Sequence, residues 1–329
     1  MNFMINILLR KERVMEICKR FIKKILSALI LPFIYYKFKK DSKELPLERG
    51  HYRTYIQLHT SYWMTFLKFP DLIYGDDYNQ KIQWLKLFDN DALMIQCVDK
   101  VLVRDYINDV LGTGYLPDLY QSQSAFDLLD LNILPKSFVL KTNHDSGTVF
   151  LVKDKEMLDI SKYRYKIESS LKNKYGTYGG EWSYKYVKPL VFIEQYLGGP
   201  NDPPPADYKF HCVNGEVKWL QYIYDRADDV KEVIVDPSGK VMDVHFDTKM
   251  KHEIFFHVPK EFSNMISIAE KISNNFKYVR VDLYLIEGMV IVGELTFFPL
   301  AGCYRGKGQV KLGHYLNFNR SDFKKPICG

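Results

Sequence analysis

The stretch YVRVDLYLIEGMVIVGELTFF, residues 278–298, decides the fold. Two runs of alternating apolar residues flank the turn signal Glu287-Gly288, which predicts a β-hairpin. A three-residue loop centred on Gly288 would place Asp282 and Glu294 directly opposite each other, with Cβ atoms about 5 Å apart. A two-residue turn at Glu287-Gly288 would instead place them on opposite faces of the hairpin. The three-residue loop is the expectation on which the site prediction depends.

Two carboxylates side by side in an apolar strand pair repel each other. Burying them costs several kcal/mol unless a cation lies between them. Mg²⁺ is the natural cation, because it takes one or two carboxylates together with substrate phosphates. The pattern therefore predicts a magnesium site at Asp282 and Glu294. The alternative is a solvated sheet face that carries unrelated charges.

A second informative stretch is FVLKTNHDSGTVFLVKD, residues 138–154, in which Lys141 ends one apolar run and a small polar loop leads into another. Backbone N–H groups, small hydroxyls and a lysine are the groups that stabilise a polyphosphate. The loop has one glycine, lacks the G-x-x-x-x-G-K-[ST] spacing of a P-loop and opens no helix, so by itself it favours a plain hairpin.

The remaining chain predicts an α+β fold. Residues 41–135 are mainly helical, with apolar positions at i, i+3 and i+4 in 79–91 and 99–112. From residue 137 onward, short β-branched and aromatic runs separated by turn signals predict strands, interrupted by helices at 155–174 and 259–275. At 329 residues and 47% hydrophobic content, the chain is long enough to bury a sizeable core.

The basic character of the chain is concentrated at one end. Residues 1–40 carry ten Lys and Arg, and the rest of the chain has a net charge near zero, so general nucleic-acid binding is not indicated. The apolar run at 25–36 contains Pro32 and falls short of the roughly 20 residues that a membrane-spanning helix needs. Residues 10–40 are typical of a basic amphipathic helix on an anionic membrane surface, or of a basic helix packed on the domain.

The five cysteines are scattered and form no C-x-x-C pair. This pattern predicts a reducing compartment, which favours a cytoplasmic protein, and it argues against a structural zinc site.

From about residue 99 to 302 the chain resembles the ATP-grasp superfamily, in particular the TupA-like branch associated with teichuronopeptide and surface-polysaccharide biosynthesis. The matching stretches are VDKVLVRDYI, SFVLKTNHDSGTVFLVKDK, LVFIEQYL, DYKFHCVNGEVKWLQYIYDR and VRVDLYLIEGMVIVGELTFFPLAG, and their order is more specific than any one of them. The resemblance implies an ATP-grasp fold with two α+β subdomains that clasp ATP. Together with the charge and periodicity of the preceding residues, it predicts four parts: a basic amphipathic membrane-proximal segment (1–40), a helical N-terminal region (41–136), a lid subdomain (137–197) and a C-terminal subdomain with the metal site (198–329).

The resemblance also implies an ATP site. Its phosphate-contacting lysines would be Lys100 and Lys141, and its lid loop would use Asn143, His144, Ser146, Gly147 and Thr148. The adenine hinge would be Glu194, Gln195, Tyr196 and Leu197, with Asp207 as the ribose acid and Lys209 beside it. Taken singly, Lys100 is also consistent with a surface lysine near a helix start, Glu194 with a strand-end charge, and Lys209 with an exposed neighbour of Asp207.

For the reaction itself, the resemblance implies Mg²⁺ ligands at Asp282 and Glu294, and Arg280 with Lys141 as the catalytic cations. Many superfamily ligases have Asn two residues after the second metal acid, whereas this chain has Thr296, whose hydroxyl can also serve as a ligand or hold a water. The candidates for binding an acidic substrate are Arg226 and Arg305.

The implied activity is an ATP-dependent carboxylate–amine ligase that works through an acyl phosphate. Its acceptor would be a uronic acid or amino-acid carboxylate of a glycan or lipid-linked precursor, joined to an amine at the cytoplasmic membrane face. Two alternatives stay open: a glycosyltransferase with a metal at Asp76-Asp77 or Asp228-Asp229, and a non-catalytic, ATP-binding, membrane-associated assembly factor.

Overall fold

A computed structural model describes residues 26, 28–173, 175–176, 179–199, 203–225, 229–246, 248, 250–318 and 320. It consists of a helical N-terminal part followed by two β-sheets, each with helices packed on it. The α+β prediction is therefore confirmed.

Among the described residues of the N-terminal part, the α-helices are α1 (28–41), α2 (Tyr52–Phe66), α3 (Tyr78–Phe88), α4 (Leu93–Val98) and α5 (Val103–Leu111). α3 begins where the carboxylate of Asp77 accepts a hydrogen bond from the backbone N–H of Gln80. α5 ends at Gly112, whose φ of 84° favours glycine. Helices α3 and α5 confirm the two periodic stretches that the sequence analysis singled out.

Helix α1 packs on the rest of the protein through Ile30 and Ile34, which are buried. Among the helices within the described ranges, none combines the length and the apolar composition that crossing a membrane would require.

A four-stranded antiparallel sheet, called the lid sheet below, has the strand order β1-β4-β2-β3. Its strands are β1 (Leu119–Gln123), β2 (Phe138–Thr142), β3 (Val149–Val152) and β4 (Val191–Gln195). One face packs on helix α6 (Ile160–Leu171), and the other carries Val139, Lys141, Phe192 and Glu194. Strand β1 differs from the expectation that 41–136 is helical, because LYQSQ is a half-exposed edge strand without apolar alternation.

The second sheet, called the large sheet, has the order β10-β9-β5-β6-β7-β8. Its strands are β5 (Asp207–Val213), β6 (Glu216–Tyr224), β7 (Lys231–Val235), β8 (Lys251–His252), β9 (Tyr278–Ile286) and β10 (Met289–Thr296). Helix α7 (Phe262–Ser273) covers one face, and α8 (Gln309–Tyr315) packs against α3. The main hydrophobic core joins this sheet to the N-terminal helices.

The β9–β10 hairpin corrects the expected loop. Its turn has two residues, Glu287 and Gly288, both with positive φ (50° and 82°), because Ile286 pairs with Met289. The register then shifts by one residue at Gly293, a β-bulge, so that Glu294 pairs with Asp282. The two carboxylates lie opposite each other as expected, but the bulge produces this pairing and not the turn.

Candidate active site

A row of charged residues crosses three neighbouring strands of the large sheet. Lys209 on β5 pairs with Asp282 on β9, and Asp282 pairs with Glu294 on β10. The next row places Arg280 opposite Thr296. The row was visible in the sequence as alternation within each strand, but the side-by-side order of the strands was not.

Arg280 holds this cluster together. Its Nε and Nη2 donate to the two carboxylate oxygens of Asp282 at 2.6 and 2.7 Å, and Nη2 also donates to Glu294 Oε1 and Thr296 Oγ1 at 3.1 Å. The Thr296 hydroxyl donates to Glu294 Oε1 at 2.8 Å. Bidentate pairing with a buried carboxylate fixes the guanidinium plane.

Lys209 is buried between two acids, so the reading of it as an exposed neighbour of Asp207 is wrong. Its ammonium donates to Asp282 and, at 3.1 Å, to Asp207 Oδ1. The strand positions of Asp207 and Lys209 bring the ribose candidate and the metal candidate into one network.

The cations keep Glu294 ionised. Burial alone would raise the pKa of this carboxyl, but Arg280, Lys209 and Lys100 lower it to about 2. Asp282 in turn raises the pKa of Arg280 well above its usual value, against the effect of burial. Glu294 is therefore a negative charge surrounded by cations at neutral pH.

The lid sheet presents a second charged cluster. Lys141 on β2 forms an ion pair with Glu194 on β4, and Arg104 on α5 lies 3.7 Å from the other Glu194 oxygen. Lys100 donates to the backbone carbonyls of Thr142, at 3.3 Å, and Asp145. Burial lowers the pKa of Lys100, while Glu294 and Asp145 oppose that shift.

The two clusters meet at a cleft between the lid sheet and the large sheet. The lid sheet supplies Lys141, Phe192 and Glu194, the hairpin strand β10 supplies residues 292–295, and the α5 region supplies Lys100, Val103, Arg104, Leu116 and Pro117. Four candidates from the sequence, Lys100, Lys141, Glu194 and Glu294, thus share one cleft. Arg104, which was not predicted from the sequence, lies four residues after Lys100 in the first turn of α5.

Hydrogen bonds to the Asp145 side chain hold the lid loop in its conformation. Asp145 accepts from Thr142 and Thr148 at 2.6 and 2.5 Å, and Ser170 also donates to it. Sequence reasoning gave Asp145 no role, although its position midway between two threonines was an available signal. Ser146 and Gly147 are exposed at the tip, where Gly147 has a φ of 102°.

Two lid-loop candidates point into the protein. The Asn143 amide donates to Asp99 Oδ2 at 2.9 Å and to the Lys188 carbonyl at 3.0 Å, and it accepts from the Leu190 N–H. His144 is buried and hydrogen-bonds the Ser170 carbonyl at 3.1 Å. These contacts hold the base of the loop and do not place either side chain in the cleft.

Of the remaining candidates, Gln195 has an exposed side chain beside Asp118, Tyr196 is buried, and Leu197 is half-buried. Arg305 is exposed and donates to the Thr65 carbonyl at 2.9 Å, and it is not among the residues that line the cleft. Arg226 lies outside the described residues.

The carboxylates of Glu294 and Asp282 differ in how readily they could bind Mg²⁺. Glu294 fits directly, because its side chain is 42% exposed, ionised, and borders the cleft. Asp282 fits once Lys209 or Arg280 releases an oxygen, since both oxygens are now hydrogen-bonded. Within the described ranges, no group of three or more His, Cys, Asp or Glu is placed to hold a metal, so substrate phosphates would have to complete the coordination.

A lid sheet and a large sheet that close on a cleft lined by lysines and acids define the ATP-grasp class. The chain belongs to the TupA-like ATP-grasp family, whose family model matches residues 80–314.

Solved structures with similarity to the chain include several ligases. D-alanine–D-alanine ligase from Bacillus anthracis, complexed with ATP, is 15% identical, with a TM-score of 0.39 over 68% of this chain and 63% of that one. The L-amino acid ligase from Bacillus licheniformis is 14% identical, with a TM-score of 0.41 over 68% of this chain and 46% of that one. The chain thus spans less than two thirds of the length of these two proteins. D-alanine–D-alanine ligase from Helicobacter pylori is 14% identical, with a TM-score of 0.41 over 77% and 69%. No curated protein matches the chain.

Proposed function

We propose that the protein is an ATP-dependent carboxylate–amine ligase that forms an amide through an acyl phosphate. The observation that carries the proposal is that Lys100, Lys141 and Glu294 line one cleft. Glu294 is the register partner of Asp282 and accepts a hydrogen bond from Arg280. In the same proposal, residues 137–197 form most of the lid subdomain, 198–329 the C-terminal subdomain, and β1 joins the lid sheet from the preceding region.

The proposed chemistry has two steps. A carboxylate oxygen of the acceptor attacks the γ-phosphorus of ATP and ADP leaves, giving an acyl phosphate. An amine nitrogen then attacks the acyl carbon, phosphate leaves, and the nitrogen loses a proton. Phosphoryl transfer depends mainly on positioning and charge neutralisation, which Lys100, Lys141 and Arg280 supply here.

Mg²⁺, when bound, would neutralise charge on the phosphates, and Glu294, Asp282 and Thr296 would hold it. Exclusion of water from the intermediate would fall to the lid loop, whose exposed tip is Ser146 and Gly147. The hinge Glu194–Leu197 and the acid Asp207 are proposed as the adenine and ribose contacts.

The proposed acceptor is a uronic acid or amino-acid carboxylate of a cell-surface glycan or its lipid-linked precursor. Membership of the TupA-like branch supports this substrate class. Arg226 and Arg305 stay proposals for its recognition, although Arg305 is tied to Thr65.

We also propose that residues 10–40 dock on the anionic cytoplasmic face of a membrane. Leu29, Phe33 and Tyr36 lie on one stripe of α1 and are 63, 65 and 74% exposed. Basic residues flank the stripe in the sequence. Flotation with phosphatidylglycerol vesicles should recover the protein, phosphatidylcholine vesicles should not, and Leu29→Ser with Phe33→Ser should abolish recovery.

The test of the ligase is ADP formation from Mg·ATP in a screen of uronic acids and amino acids with amine donors. We expect ADP release that needs both a carboxylate and an amine, and Asp282→Asn and Glu294→Gln should lower it by about three orders of magnitude. Asp243→Asn, an exposed acid paired with Lys307, is the matched control and should keep the wild-type rate.

Two further measurements separate the alternatives: biological activity of the same variants and turnover of sugar nucleotides. An assembly factor would retain biological activity in the Asp282→Asn and Glu294→Gln variants. A glycosyltransferase would consume sugar nucleotides, but no observation favours it. Asp77 caps α3, Asp76 pairs with Lys81 and His314, and Asp228 lies outside the described residues.

A further inference from the structure

Helix α3 carries a lysine that the proposed chemistry does not use. Lys86 is 1% exposed, and its ammonium donates to Gln83 Oε1 at 2.9 Å and to the carbonyls of Gly179 and Ala301 at 2.7 Å each. Burying a charged lysine is costly unless it is fully hydrogen-bonded, and three acceptors meet that need. The two carbonyls belong to chain segments more than 100 residues apart.

One of these segments, 299–302, directly follows the strand that carries Glu294 and Thr296. Leu300 and Ala301 have φ values of 47° and 51°, in the left-handed region, although neither is glycine. Such conformations are strained for a residue with a side chain and persist only where surrounding contacts enforce them. Here α3 enforces them, because the Gln83 amide also donates to the carbonyls of Ala301 and Gly302 at 3.0 and 2.8 Å.

The other segment, around Gly179, connects α6 to the lid strand β4. It packs tightly on 299–302, since a Cβ atom added at Gly179 would lie 2.8 Å from the Ala301 Cβ. Glu181 lies near Lys86, and its charge opposes the lowering of the lysine pKa by burial. Lys86 therefore links the segment around Gly179, which leads into the lid sheet, to the segment 299–302, which follows the large-sheet strand β10.

The segment 299–302 begins three residues after Thr296, whose hydroxyl accepts a hydrogen bond from Arg280. Burial and the charges of Glu181 and Glu294 raise the pKa of Tyr184. In-line transfer requires the acceptor on the side of the γ-phosphate away from ADP. The connection around Gly179 packs on 299–302, and neither segment is among the residues that line the lysine-lined cleft.

We propose that Lys86 is a positioning residue: by joining Gly179 to Ala301, it holds the strained 299–302 segment as a wall of the acceptor subsite. This rests on the proposed ligase function. Lys86 touches neither nucleotide nor acceptor in this account and acts through the backbone of the two connections.

The test compares Lys86→Met with Lys81→Met. Lys81 is a buried lysine on the same helix, but it donates to the Gly313 carbonyl at 3.0 Å, on α8. With the carboxylate and amine that support wild-type ADP formation, Lys86→Met should raise KM for the carboxylate and lower kcat, for a combined loss of about 10²-fold in kcat/KM. Affinity for Mg·mant-ATP should stay within twofold. Lys81→Met should keep wild-type kinetic constants.

Hydrogen–deuterium exchange supplies a readout independent of turnover. In Lys86→Met, the amides of 299–304 and 179–184 should exchange at least tenfold faster, while those of α8 stay protected. If Lys86→Met does not fold, Gln83→Met replaces it. This variant removes the three hydrogen bonds that Gln83 makes with Lys86, Ala301 and Gly302, so the same kinetic losses and faster exchange of 299–304 are expected. Unchanged exchange in 299–304, or equal kinetic losses in the two lysine variants, overturns the proposal. If the wild type binds Mg·mant-ATP but forms no ADP, the ligase assignment fails, and the exchange result still decides whether Lys86 holds the two connections.

Discussion

Asp282 and Glu294 are register partners across β9 and β10, although the two-residue turn between them would by itself place them on opposite faces. The extra residue that reverses this outcome is Gly293, which also lines the cleft. A bulge next to a reactive site re-aims the side chain that follows it. The geometry of the proposed metal site therefore depends on a residue with no side chain.

Replacing Gly293 with valine should damage both stability and activity. A Cβ atom there would lie 2.7 Å from Tyr284 Cε2 and 3.3 Å from the Asp282 carbonyl oxygen, so the Tyr284 ring must move and the backbone at Asp282 must shift slightly. We expect a loss of about 1–3 kcal/mol in the free energy of unfolding by urea denaturation. ADP formation should fall by about 10²-fold, since small misplacements of a catalytic group are costly.

Met289→Val is the matched control for that variant. Met289 lies on the same strand and is 57% exposed, so the free energy of unfolding should change by less than about 0.5 kcal/mol. Equal effects of the two substitutions would show that the bulge has no special role.

At acidic pH, the free energy of unfolding should depend on the ionisation of Glu294. Its folded pKa, about 2, lies below the ordinary value of 4.5, so the unfolded state binds more protons between these values. The stabilisation is present above pH 4.5 and is lost as the pH falls toward 2. Because the side chain is 42% exposed, solvent screening reduces the effect to about 1 kcal/mol.

Urea denaturation of the wild type and Glu294→Gln at pH 6, 4 and 3 measures this contribution. The difference in free energy of unfolding between the two proteins should shrink as the pH falls. A difference independent of pH would mean that Glu294 is not held ionised by its neighbours.

Lys141 should matter for turnover more than for folding. In Lys141→Met, Glu194 keeps Arg104 at 3.7 Å as its cationic neighbour, so the protein should fold. Loss of a positioned cation from the transferring phosphoryl group should lower kcat by about 10²–10³-fold in the ADP assay. Lys136→Met, which removes an ion pair with Asp154 beside the lid sheet, should leave kcat unchanged.

Because of Lys86, the free energy of unfolding should increase at alkaline pH. Burial lowers its pKa from 10.5 to about 8, with Glu181 and Cys303 as the titratable neighbours that oppose the shift. Between pH 8 and 10.5 the unfolded state binds more protons, so the free energy of unfolding rises with pH. Relative to Lys86→Met, the wild type should gain about 3 kcal/mol over this range. A flat difference in thermal or urea denaturation would contradict the assigned shift.

The strands and helices were predictable where a pattern was local. The alternation in residues 278–298 predicted β9 and β10, and the run ending in Lys141 predicted β2. β1 escaped prediction because an exposed edge strand needs no apolar face. Lys209 was read in one alternative as exposed, since its partner Asp282 lies 73 residues away.

By itself, the sequence determined the order of the elements, the residues that share each strand face, and the family, because side-chain alternation and motif order are properties of neighbouring residues. The tertiary structure alone decided the bulge that pairs Asp282 with Glu294, the burial of Lys209, and the link from Lys86 to Ala301. These depend on how distant segments pack, where burial and hydrogen-bond satisfaction select one register and one set of partners from several that the local pattern allows.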